Sequence, residues 1–396
     1  MEFEPSEAQR RFRTEIRQFL AELPPATSAA VHDSGTLHSW SVHRAMAERG
    51  WLKAAWPVEQ GGQGRDPFEM ATLNEEFARA GIPIEGWLIA ELVAKTLQIV
   101  GTEQQRSEVI PAILSGEILL CLGYSEPDSG SDVAAARTRA TRDGDGWVID
   151  GQKMFTTMAH ESSYVFLLAR TNPEVPKHRG LTMFLVPMDA EGVDVRPVHT
   201  LGGERTNATF YERVRVPDSA RVGEVDGGWD VMMVALAFER QPAAAGHLLH
   251  LLDRAVGWAR TPTADGATPI DRPEVRACLA RAYTDLEVSR LMGYRMTWLT
   301  ARDVLPHTEG SLAKLFSSEA LMRAAASLVD VVGADGLLAG HGTGAPADGW
   351  IEHEFRHSVV TTIYAGTSEI QRGIIAERHL GLPRARTQAQ AQRAGA

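Results

Sequence analysis

The apolar residues of this 396-residue chain change their spacing twice, and this change constrains the fold more than any other feature of the sequence. Residues 1 to about 120 show helical spacing, which begins with Phe12, Ile16 and Phe19 after the capping residue Ser6. Pro and Gly residues interrupt this spacing at points where helices end. Further helices are predicted at 68–80, 86–100 and 103–115, with a turn-rich loop at 56–67.

From about residue 121 to 228 the spacing becomes that of short strands. A turn at 143–146 precedes the β-prone run 147–149. The Pro and Gly residues between the strands favour a small antiparallel sandwich or barrel over β-α-β units. The other predicted strands are 165–169, 181–186, 193–198 and 208–216.

After residue 229 helical spacing returns, as in Leu321, Ala325 and Leu328, and Gly333 ends that helix. The sequence therefore predicts an α+β fold with three domains. These are an N-terminal helical domain at 1–120, a central antiparallel β domain at 121–228 and a C-terminal helical domain at 229–396.

Composition excludes several classes of partner. The net charge of −11, without a basic stripe, argues against nucleic acid. Cys121 and Cys278 offer neither a disulfide framework nor metal-ligand spacing, which is typical of a reducing cytoplasm. The N-terminus lacks the order of a signal peptide, and the apolar run 231–238 is far below the roughly 20 residues that span a bilayer. We expect a soluble, cytoplasmic protein without a membrane partner.

Three segments carry residue types suited to a cofactor. Residues 122–132 form a turn rich in hydroxyls and backbone N–H groups, which can bind a pyrophosphate or a flat heterocycle. The same composition is also found in ordinary surface loops. Residues 151–157 place an aromatic and hydroxyls after a turn, where an aromatic usually belongs to the core. At 363–372, Thr367 or Ser368 is expected to cap a helix. Such a cap either exposes backbone N–H groups to an anion or has a structural role alone.

Taken together, EPDSGSD, GQKMFTT and YAGTSEIQR resemble, in this order and spacing, the signatures of the acyl-CoA dehydrogenase family. The resemblance spans nearly the whole chain, including the helix–β–helix order and the exit HLGLPR at 379–384. GYSEPDSGSD, the stretch 171–180 and PVHTLGG look most like the actinobacterial branch that degrades steroid side chains. The resemblance implies FAD as cofactor and a four-helix bundle as the C-terminal domain.

The resemblance assigns FAD contacts to the three signatures and to a glycine-rich loop that meets the cofactor across a subunit interface. Phe155 occupies a position that is often Trp, and Asp330 one that is usually Gln. The residues at the FAD-contacting positions are Leu122, Tyr124, Ser125, Ser131, Phe155, Thr157, Asp330, Gly333, Ala334, Thr367 and Glu369.

The residue that removes the substrate proton is the informative case. The family often has a Glu before the Gly-Thr of the third signature, but this chain has Ala365, whose methyl group cannot accept a proton. In isovaleryl- and long-chain-specific relatives the base comes from a helix that aligns with 237–240, which makes Glu239 the candidate. Its apolar run places the carboxylate at the edge of a buried face, where desolvation raises a pKa. In the alternative interpretation, Glu239 is not the base and forms an ion pair with a Lys or Arg on the helix surface.

The resemblance implies α,β-dehydrogenation of an acyl-CoA, or of a carrier-bound acyl thioester, to the trans-2-enoyl product. Glu239 takes the α proton while the β hydride passes to flavin N5. An FAD ribityl hydroxyl and the backbone N–H of Ala365 hold the thioester oxygen, and Arg240 orients the base. An electron-transfer flavoprotein accepts the electrons, and the acyl chain is bulky, branched or steroid-derived. The expected substrate contacts are Ser131, Phe238, Arg240 and Ala365.

One departure from the family's sequence pattern bears on whether the chain needs a partner subunit. The family usually has Arg-x-x-Phe-Gly after the base helix, with the Arg on the FAD pyrophosphate, but the stretch 258–266 lacks Phe-Gly. In the steroid branch such losses accompany heteromeric enzymes. We therefore expect either a homo-oligomer, dimer or tetramer, or a heterotetramer with a second dehydrogenase subunit. A non-catalytic or half-site subunit is the alternative function, and a flavin oxidase or monooxygenase is a further one inside this fold.

A second motif points elsewhere. His353-Glu354-Phe355-Arg356-His357 matches the H-E-x-x-H pattern of zinc hydrolases. Such an enzyme needs a third ligand, for which His341 and Glu369 are candidates by residue type. The family resemblance instead explains this stretch as the helix that leads into the third signature. We therefore predict no metal site and keep the zinc hydrolase as a remote alternative.

Overall fold

The N-terminal part of the computed structural model is helical, as predicted. The structure describes residues 4–239, 243–263, 266–340 and 344–383, and the side chains of 239, 243, 244 and 307 lie outside this description. Ser6 starts the first helix through a capping box: its Oγ accepts from the Gln9 N–H at 3.2 Å while Gln9 Oε1 accepts from the Ser6 N–H at 2.9 Å. The helices are α1 (Glu7–Glu22), α2 (Thr27–Asp33), α3 (Trp40–Glu48), α4 (Pro67–Arg79), α5 (Glu85–Val100) and α6 (Glu103–Leu114).

The N-terminal core forms because the periodic apolar side chains of α1 meet those of α4. Phe12, Phe19 and Trp51 pack edge to face, with Phe77 of α4 completing the cluster. These side chains are almost completely buried. The helical spacing read from the sequence is therefore the core-facing stripe of α1.

The central part is one eight-stranded sheet in the order β6-β7-β3-β2-β4-β5-β8, with β1 paired to β4 off this path. Most pairings are antiparallel, as predicted, but β1 pairs with β4 in parallel, and β2 also meets β4 through one parallel bridge, Arg139 to Arg170. The strands are β1 (Leu120–Gly123), β2 (Arg139–Asp143), β3 (Gly146–Lys153), β4 (Tyr164–Arg170), β5 (Leu181–Pro187), β6 (Val193–His199), β7 (Arg205–Pro217) and β8 (Arg221–Val222).

The C-terminal part contains the predicted four-helix bundle, formed by α8 to α11, in which α10 contacts α8, α9 and α11. Leu252, Leu279, Leu328 and Ile351 lie in its core. Gly333 ends α10 with φ 84°, a conformation that favours glycine. The helices are α7 (Gly228–Glu239), α8 (Ala243–Arg260), α9 (Pro273–Thr300), α10 (His307–Val332), α11 (Trp350–Thr361) and α12 (Ser368–Ile374).

The helix α7 packs on the sheet and on α5 rather than in the bundle. Val231, Met232 and Ala235 are buried in the same core as β4 and β5, and Phe238 packs against that core. In the described part of the chain, no helix is both long enough and apolar enough to cross a bilayer.

Candidate active site

A buried ion pair joins the first signature to the second. Lys153 Nζ donates to Glu126 Oε1 at 2.8 Å and to the Tyr124 carbonyl at 3.2 Å, and no part of the Lys153 side chain is exposed. The Glu126 carboxylate also accepts the backbone N–H groups of Arg137 at 2.7 Å and Thr138 at 2.9 Å. These contacts hold the two signatures as one unit.

The electrostatics of this pair follow from its burial. Burial lowers the pKa of Lys153 to about 8, although the negative charge of Glu126 acts to raise it. Burial also acts to raise the pKa of Glu126, but the charge and hydrogen bond of Lys153 outweigh it, so this pKa lies below its ordinary value. Neither residue was predicted from the sequence, although a lysine at the end of the largely buried strand β3 is the signal that could have identified it.

The first signature leaves a turn with accessible polar groups. Leu122 and Tyr124 are half-buried, and the Tyr124 ring lies 6.4 Å from that of Phe166. The Ser125 carbonyl accepts the Met154 N–H at 2.9 Å, which ties this turn to the second signature. Ser131 is exposed.

The second signature presents an aromatic ring to solvent. Phe155 is 60% exposed and has φ 60°, so the interpretation of this ring as core is wrong. Thr157 Oγ1 lies 3.3 Å from Thr206 Oγ1. An exposed, backbone-fixed aromatic next to hydroxyl groups fits a planar heterocycle such as the flavin ring of FAD.

The start of β7 connects this region to the C-terminal domain. Asn207 Nδ2 donates to the Thr156 carbonyl at 3.0 Å, and the Glu204 carboxylate contacts His357 Nδ1 on α11. Arg356 Nη1 donates to the Leu201 carbonyl at 2.7 Å. The second signature and the helix before the third signature therefore meet at the turn between β6 and β7.

The third signature is a tight turn held from two sides. Ala365 has φ 51°, a left-handed conformation that costs a non-glycine residue roughly 1–2 kcal/mol. Gln371 Nε2 donates to the Ala365 carbonyl at 2.9 Å, and Lys314 Nζ donates to the Gly366 carbonyl at 2.7 Å. Burial lowers the pKa of Lys314 to about 8. With both carbonyls bonded, the turn that follows the Ala365 N–H is held in place.

The same turn starts α12. Thr367 is its cap, with Oγ1 accepting from the Ile370 N–H at 3.3 Å. Glu369 is exposed in the first turn of α12, and its own backbone N–H and the Thr367 hydroxyl lower its pKa. Gly366, with φ 85°, has no room for a side chain, because a Cβ would lie 2.6 Å from Gln371 Nε2.

The glycine-rich loop lies away from these signatures within one chain. Asp330, Gly333 and Ala334 are exposed at the far end of α10. Lys314, which contacts the third signature, precedes Asp330 by 16 residues, or about 24 Å of helix. Their contact with a cofactor through a second subunit stays a prediction.

Two residues of the predicted base region cannot be placed. Glu239 is the last residue of α7, but its side chain lies outside the described residues, as does all of Arg240. Phe238 is half-buried, and Lys95 Nζ lies 6.0 Å from its ring centroid. The roles of these three residues stay predictions.

Comparison with known proteins decides the family. Acyl-CoA dehydrogenase models match the N-terminal domain over residues 6–117, the middle domain over 121–214 and the C-terminal domain over 226–380. The chain belongs to the acyl-CoA dehydrogenase family.

Its relatives include acyl-CoA dehydrogenases, and one solved structure among them is linked by name to steroids. The acyl-CoA dehydrogenase FadE26 of Mycobacterium tuberculosis is 37% identical over 391 residues, which cover 95% of this chain and 98% of FadE26. A solved structure named Tcur3481-Tcur3483 steroid ACAD matches with a TM-score of 0.90 and 37% identity over 97% of this chain and 100% of that one. The ChsE4-ChsE5 complex from Mycobacterium tuberculosis matches with a TM-score of 0.88 and 36% identity over 97% and 100%.

These matches confirm the resemblance read from the signatures, the three-part fold and the activity of an acyl-CoA dehydrogenase. The branch with steroid-linked relatives is confirmed as well. The family is generally FAD-dependent, and the fixed turns and exposed Phe155 of this dehydrogenase fit that cofactor.

The H-E-x-x-H motif of this dehydrogenase does form a helix, α11. The His353 and His357 rings stack with centroids 6.0 Å apart. Among the described residues, however, the group with metal-ligating geometry is His247, Glu354 and His357, and neither His353 nor Glu369 belongs to it. His341, the other candidate ligand, lies outside the described residues. The arrangement expected of a zinc hydrolase is therefore not the one that the described residues form.

Proposed function

We propose that this acyl-CoA dehydrogenase removes the α proton of an acyl thioester with Glu239 and forms the trans-2-enoyl thioester with FAD as oxidant. The observation that carries the proposal is the third-signature turn, which has Ala365 where a base is usual and yet is held rigidly in place. A turn kept without its carboxylate supports a role for its backbone and a base supplied from another helix.

The position of α7 supports Glu239 as that base. Val231, Met232 and Ala235 anchor the helix in the core shared with the sheet, and Phe238 packs against the same core. Glu239 follows directly at the end of the helix. A carboxylate at the edge of an apolar surface is less solvated than one in water, which favours proton abstraction from a weak carbon acid.

The Ala365 N–H is proposed as one donor to the thioester oxygen. Removal of the α proton places negative charge on that oxygen, and a fixed N–H stabilises this charge without reorganising. Lys314 and Gln371 hold the turn that carries this N–H by bonding the carbonyls of Gly366 and Ala365. Bound FAD supplies the hydride acceptor for the β carbon.

The residues proposed to hold FAD are those of the three signatures. The Lys153–Glu126 pair and the Met154–Ser125 hydrogen bond hold the first turn beside the start of the second signature, which supports Ser125, Ser131, Phe155 and Thr157 as contacts of one cofactor. The remaining proposed contacts are Leu122, Tyr124, Thr367 and Glu369, with Asp330, Gly333 and Ala334 acting from a neighbouring subunit.

The proposed substrate is a bulky, branched or steroid-derived acyl-CoA, with Ser131, Phe238, Arg240 and Ala365 as its contacts. The name of one structural relative of this chain, a steroid ACAD, supports this class. Another structural relative is the ChsE4-ChsE5 complex. The complex also supports a second dehydrogenase subunit as partner, in line with the missing Phe-Gly near 258–266. We propose an electron-transfer flavoprotein as electron acceptor and the cytoplasm as the compartment.

The test is anaerobic bleaching of the flavin by acyl-CoA, measured on the chain alone and with a co-expressed second subunit. Glu239→Gln is expected to lower the bleaching rate roughly 10²–10⁴-fold with unchanged flavin content. Asp230→Asn removes an exposed carboxylate from the same helix and serves as the control, with wild-type bleaching expected.

The outcome also separates the alternatives. Wild-type bleaching in Glu239→Gln would exclude this residue as base. Absence of bleaching in every assembly would favour a non-catalytic subunit, and flavin binding only with the partner would favour a half-site subunit. Rapid reoxidation of the reduced protein by O₂ would favour an oxidase.

A further inference from the structure

A second group of buried ionisable residues lies where α8, α11 and the turn before β7 meet, and the proposed dehydrogenation does not use it. We name His247, Glu354, His357 and Glu204 the junction cluster. His247, Glu354 and His357 each offer one ligand atom, and these atoms all lie within 4.8 Å of one another. The cluster joins the C-terminal bundle to the β domain.

The spacing of one pair is already close to that of two ligands on one metal ion. His247 Nδ1 lies 3.1 Å from Glu354 Oε1. Tetrahedral zinc with bonds of about 2.0–2.1 Å separates its ligand atoms by about 3.3 Å. Only His357 needs to approach further, by at most about 1.5 Å, to complete a three-ligand set.

His357 is oriented as a metal ligand usually is. Its Nδ1 contacts the Glu204 carboxylate, which also accepts from Thr200 Oγ1 at 2.8 Å. With Nδ1–H donated to Glu204, the lone pair of His357 is on Nε2. That atom is buried and has no hydrogen-bond partner among the residues that the structure describes. A carboxylate on the other ring nitrogen fixes the tautomer and orientation of metal-bound histidines.

Two carboxylate oxygens nearby lack donors as well. Glu354 is 1% exposed, and its Oε2 is buried without a hydrogen-bond partner in the described part of the chain. The same holds for Glu85 Oε2 at the start of α5, and Glu85 interacts electrostatically with His247 and His357. Buried, unpartnered polar atoms are costly, and three of them in one region need an explanation.

We propose that His247, Glu354 and His357 bind a divalent transition-metal ion, with Zn²⁺ as the best match to this nitrogen and oxygen donor set. A tetrahedral ion has a fourth position, which is left for water, because among the described residues the ligand group has three members. The ion stabilises the junction of α8, α11 and the β domain. It has no hydrolytic role, because His353, the other histidine of the H-E-x-x-H motif, is not in the ligand group.

Without a metal, the cluster consists of two histidine–carboxylate contacts, His247 with Glu354 and His357 with Glu204. Those pairs satisfy Nδ1 of each histidine but leave His357 Nε2, Glu354 Oε2 and Glu85 Oε2 without partners in the described residues. Internal water is the competing explanation for these atoms. Metal content distinguishes the two.

The experiment uses the full chain, with its co-purified partner if one is present. The protein is treated with a chelator, loaded with zinc chloride, desalted and analysed for metal by mass spectrometry. Cobalt(II) is then titrated in, and its visible absorption bands report nitrogen and oxygen coordination. The expected result is a single retained zinc ion per chain. A wild-type protein that retains no stoichiometric zinc and shows no cobalt bands overturns the proposal.

Variants test the ligand set. His247→Gln and His357→Gln are expected to weaken zinc binding more than tenfold, and Glu204→Gln, which spares all ligands, roughly 10–100-fold. His353→Gln is the matched control on the same helix and is expected to retain zinc. Equal loss in His353→Gln and His357→Gln would contradict this ligand set, as would full retention in His247→Gln. Zinc is measured independently of flavin bleaching, so the result does not depend on the proposed dehydrogenation.

Discussion

Two buried groups of this molecule, the Lys153–Glu126 pair and the junction cluster, each contain carboxylates next to nitrogen atoms of basic side chains. They differ in whether all their polar atoms have hydrogen-bond partners. In the Lys153–Glu126 pair, the ammonium bonds a carboxylate and a carbonyl, and the carboxylate accepts two backbone N–H groups as well. In the junction cluster, both histidines contact carboxylates, but three nearby polar atoms have no partner in the described residues. The first group is complete within the chain, whereas the second has capacity for a ligand.

This difference separates a structural role from a binding role. A buried ion pair with all its hydrogen bonds made fixes the geometry around it, and here that geometry belongs to two cofactor signatures. A buried group with unmade bonds is destabilising unless something else supplies them. Buried carboxylates therefore support different inferences, depending on which atoms around them remain without a partner.

The largest expected effect on the free energy of unfolding comes from removing one partner of the Lys153–Glu126 pair. Lys153→Met leaves Glu126 buried without its counter-charge, which costs about 3–5 kcal/mol of unfolding free energy. Because the pair joins two signatures, flavin content should fall as well. Urea unfolding and the flavin-to-protein absorbance ratio measure the two effects.

The control is a lysine in an exposed pair beside the same loop. Lys177 Nζ lies 2.6 Å from Asp132, with side chains 48% and 56% exposed. Lys177→Met should therefore cost at most about 1 kcal/mol. Equal losses in both variants would contradict the distinction between the two pairs.

The next largest effect is expected when zinc binds to the junction cluster. Zinc at a hundredfold excess over its Kd should stabilise the wild-type protein by about 2.7 kcal/mol and raise its Tm. Magnesium, which prefers six oxygen ligands, is the control and should leave the Tm unchanged. The zinc effect should disappear in His247→Gln, and a rise of the same size in that variant would assign the stabilisation to another site.

The sequence predicted the features that depend on neighbouring residues. The capping box of Ser6 and the end of α10 at Gly333 are local, and both are confirmed. The three signatures were recognised because each is a contiguous run. Strand β2 was missed because its residues are mostly exposed and charged, and its strand character depends on pairing with β3 and β4.

The sequence could not predict contacts between distant segments. Glu126 and Lys153 are 27 residues apart, His247 and Glu354 are 107 apart, and Glu204 and His357 are 153 apart. The visible motif was H-E-x-x-H, which suggested His353 and His357 as a ligand pair. The fold instead brings His247 to Glu354, because α8 packs against α11.

Lys314, a half-buried lysine bonded to a carbonyl, should give a smaller effect than the buried Lys153, which is bonded to a carboxylate. Lys314→Met removes the donor to Gly366 and frees the third-signature turn, so kcat should fall about tenfold, or about 1.4 kcal/mol, with little change in KM. Lys314→Arg should recover part of the rate, because it keeps a cationic donor. An increase in KM with constant kcat would show that Lys314 acts on binding rather than on the position of the Ala365 N–H.

The last expected effect is the pH dependence of the junction cluster in zinc-free protein. Burial acts to lower the pKa of His247, but the charge and hydrogen bond of Glu354 outweigh it and raise this pKa to about 9. The folded state therefore binds more protons than the unfolded state between the ordinary value of about 6.5 and about 9, so stability is full below this range and falls as pH rises through it. We expect the free energy of unfolding to fall across this range.

The Lys153 pair should respond in the opposite direction. Its pKa is lowered to about 8, so between about 8 and the ordinary value of about 10.4 the unfolded state binds more protons, and stability rises with pH. Urea unfolding midpoints between pH 6 and 10 measure both contributions. His247→Gln should abolish the fall and keep the rise, whereas Lys153→Met should keep the fall. A fall of unchanged size in His247→Gln would assign it to another group and would remove His247 from the pH response of the cluster.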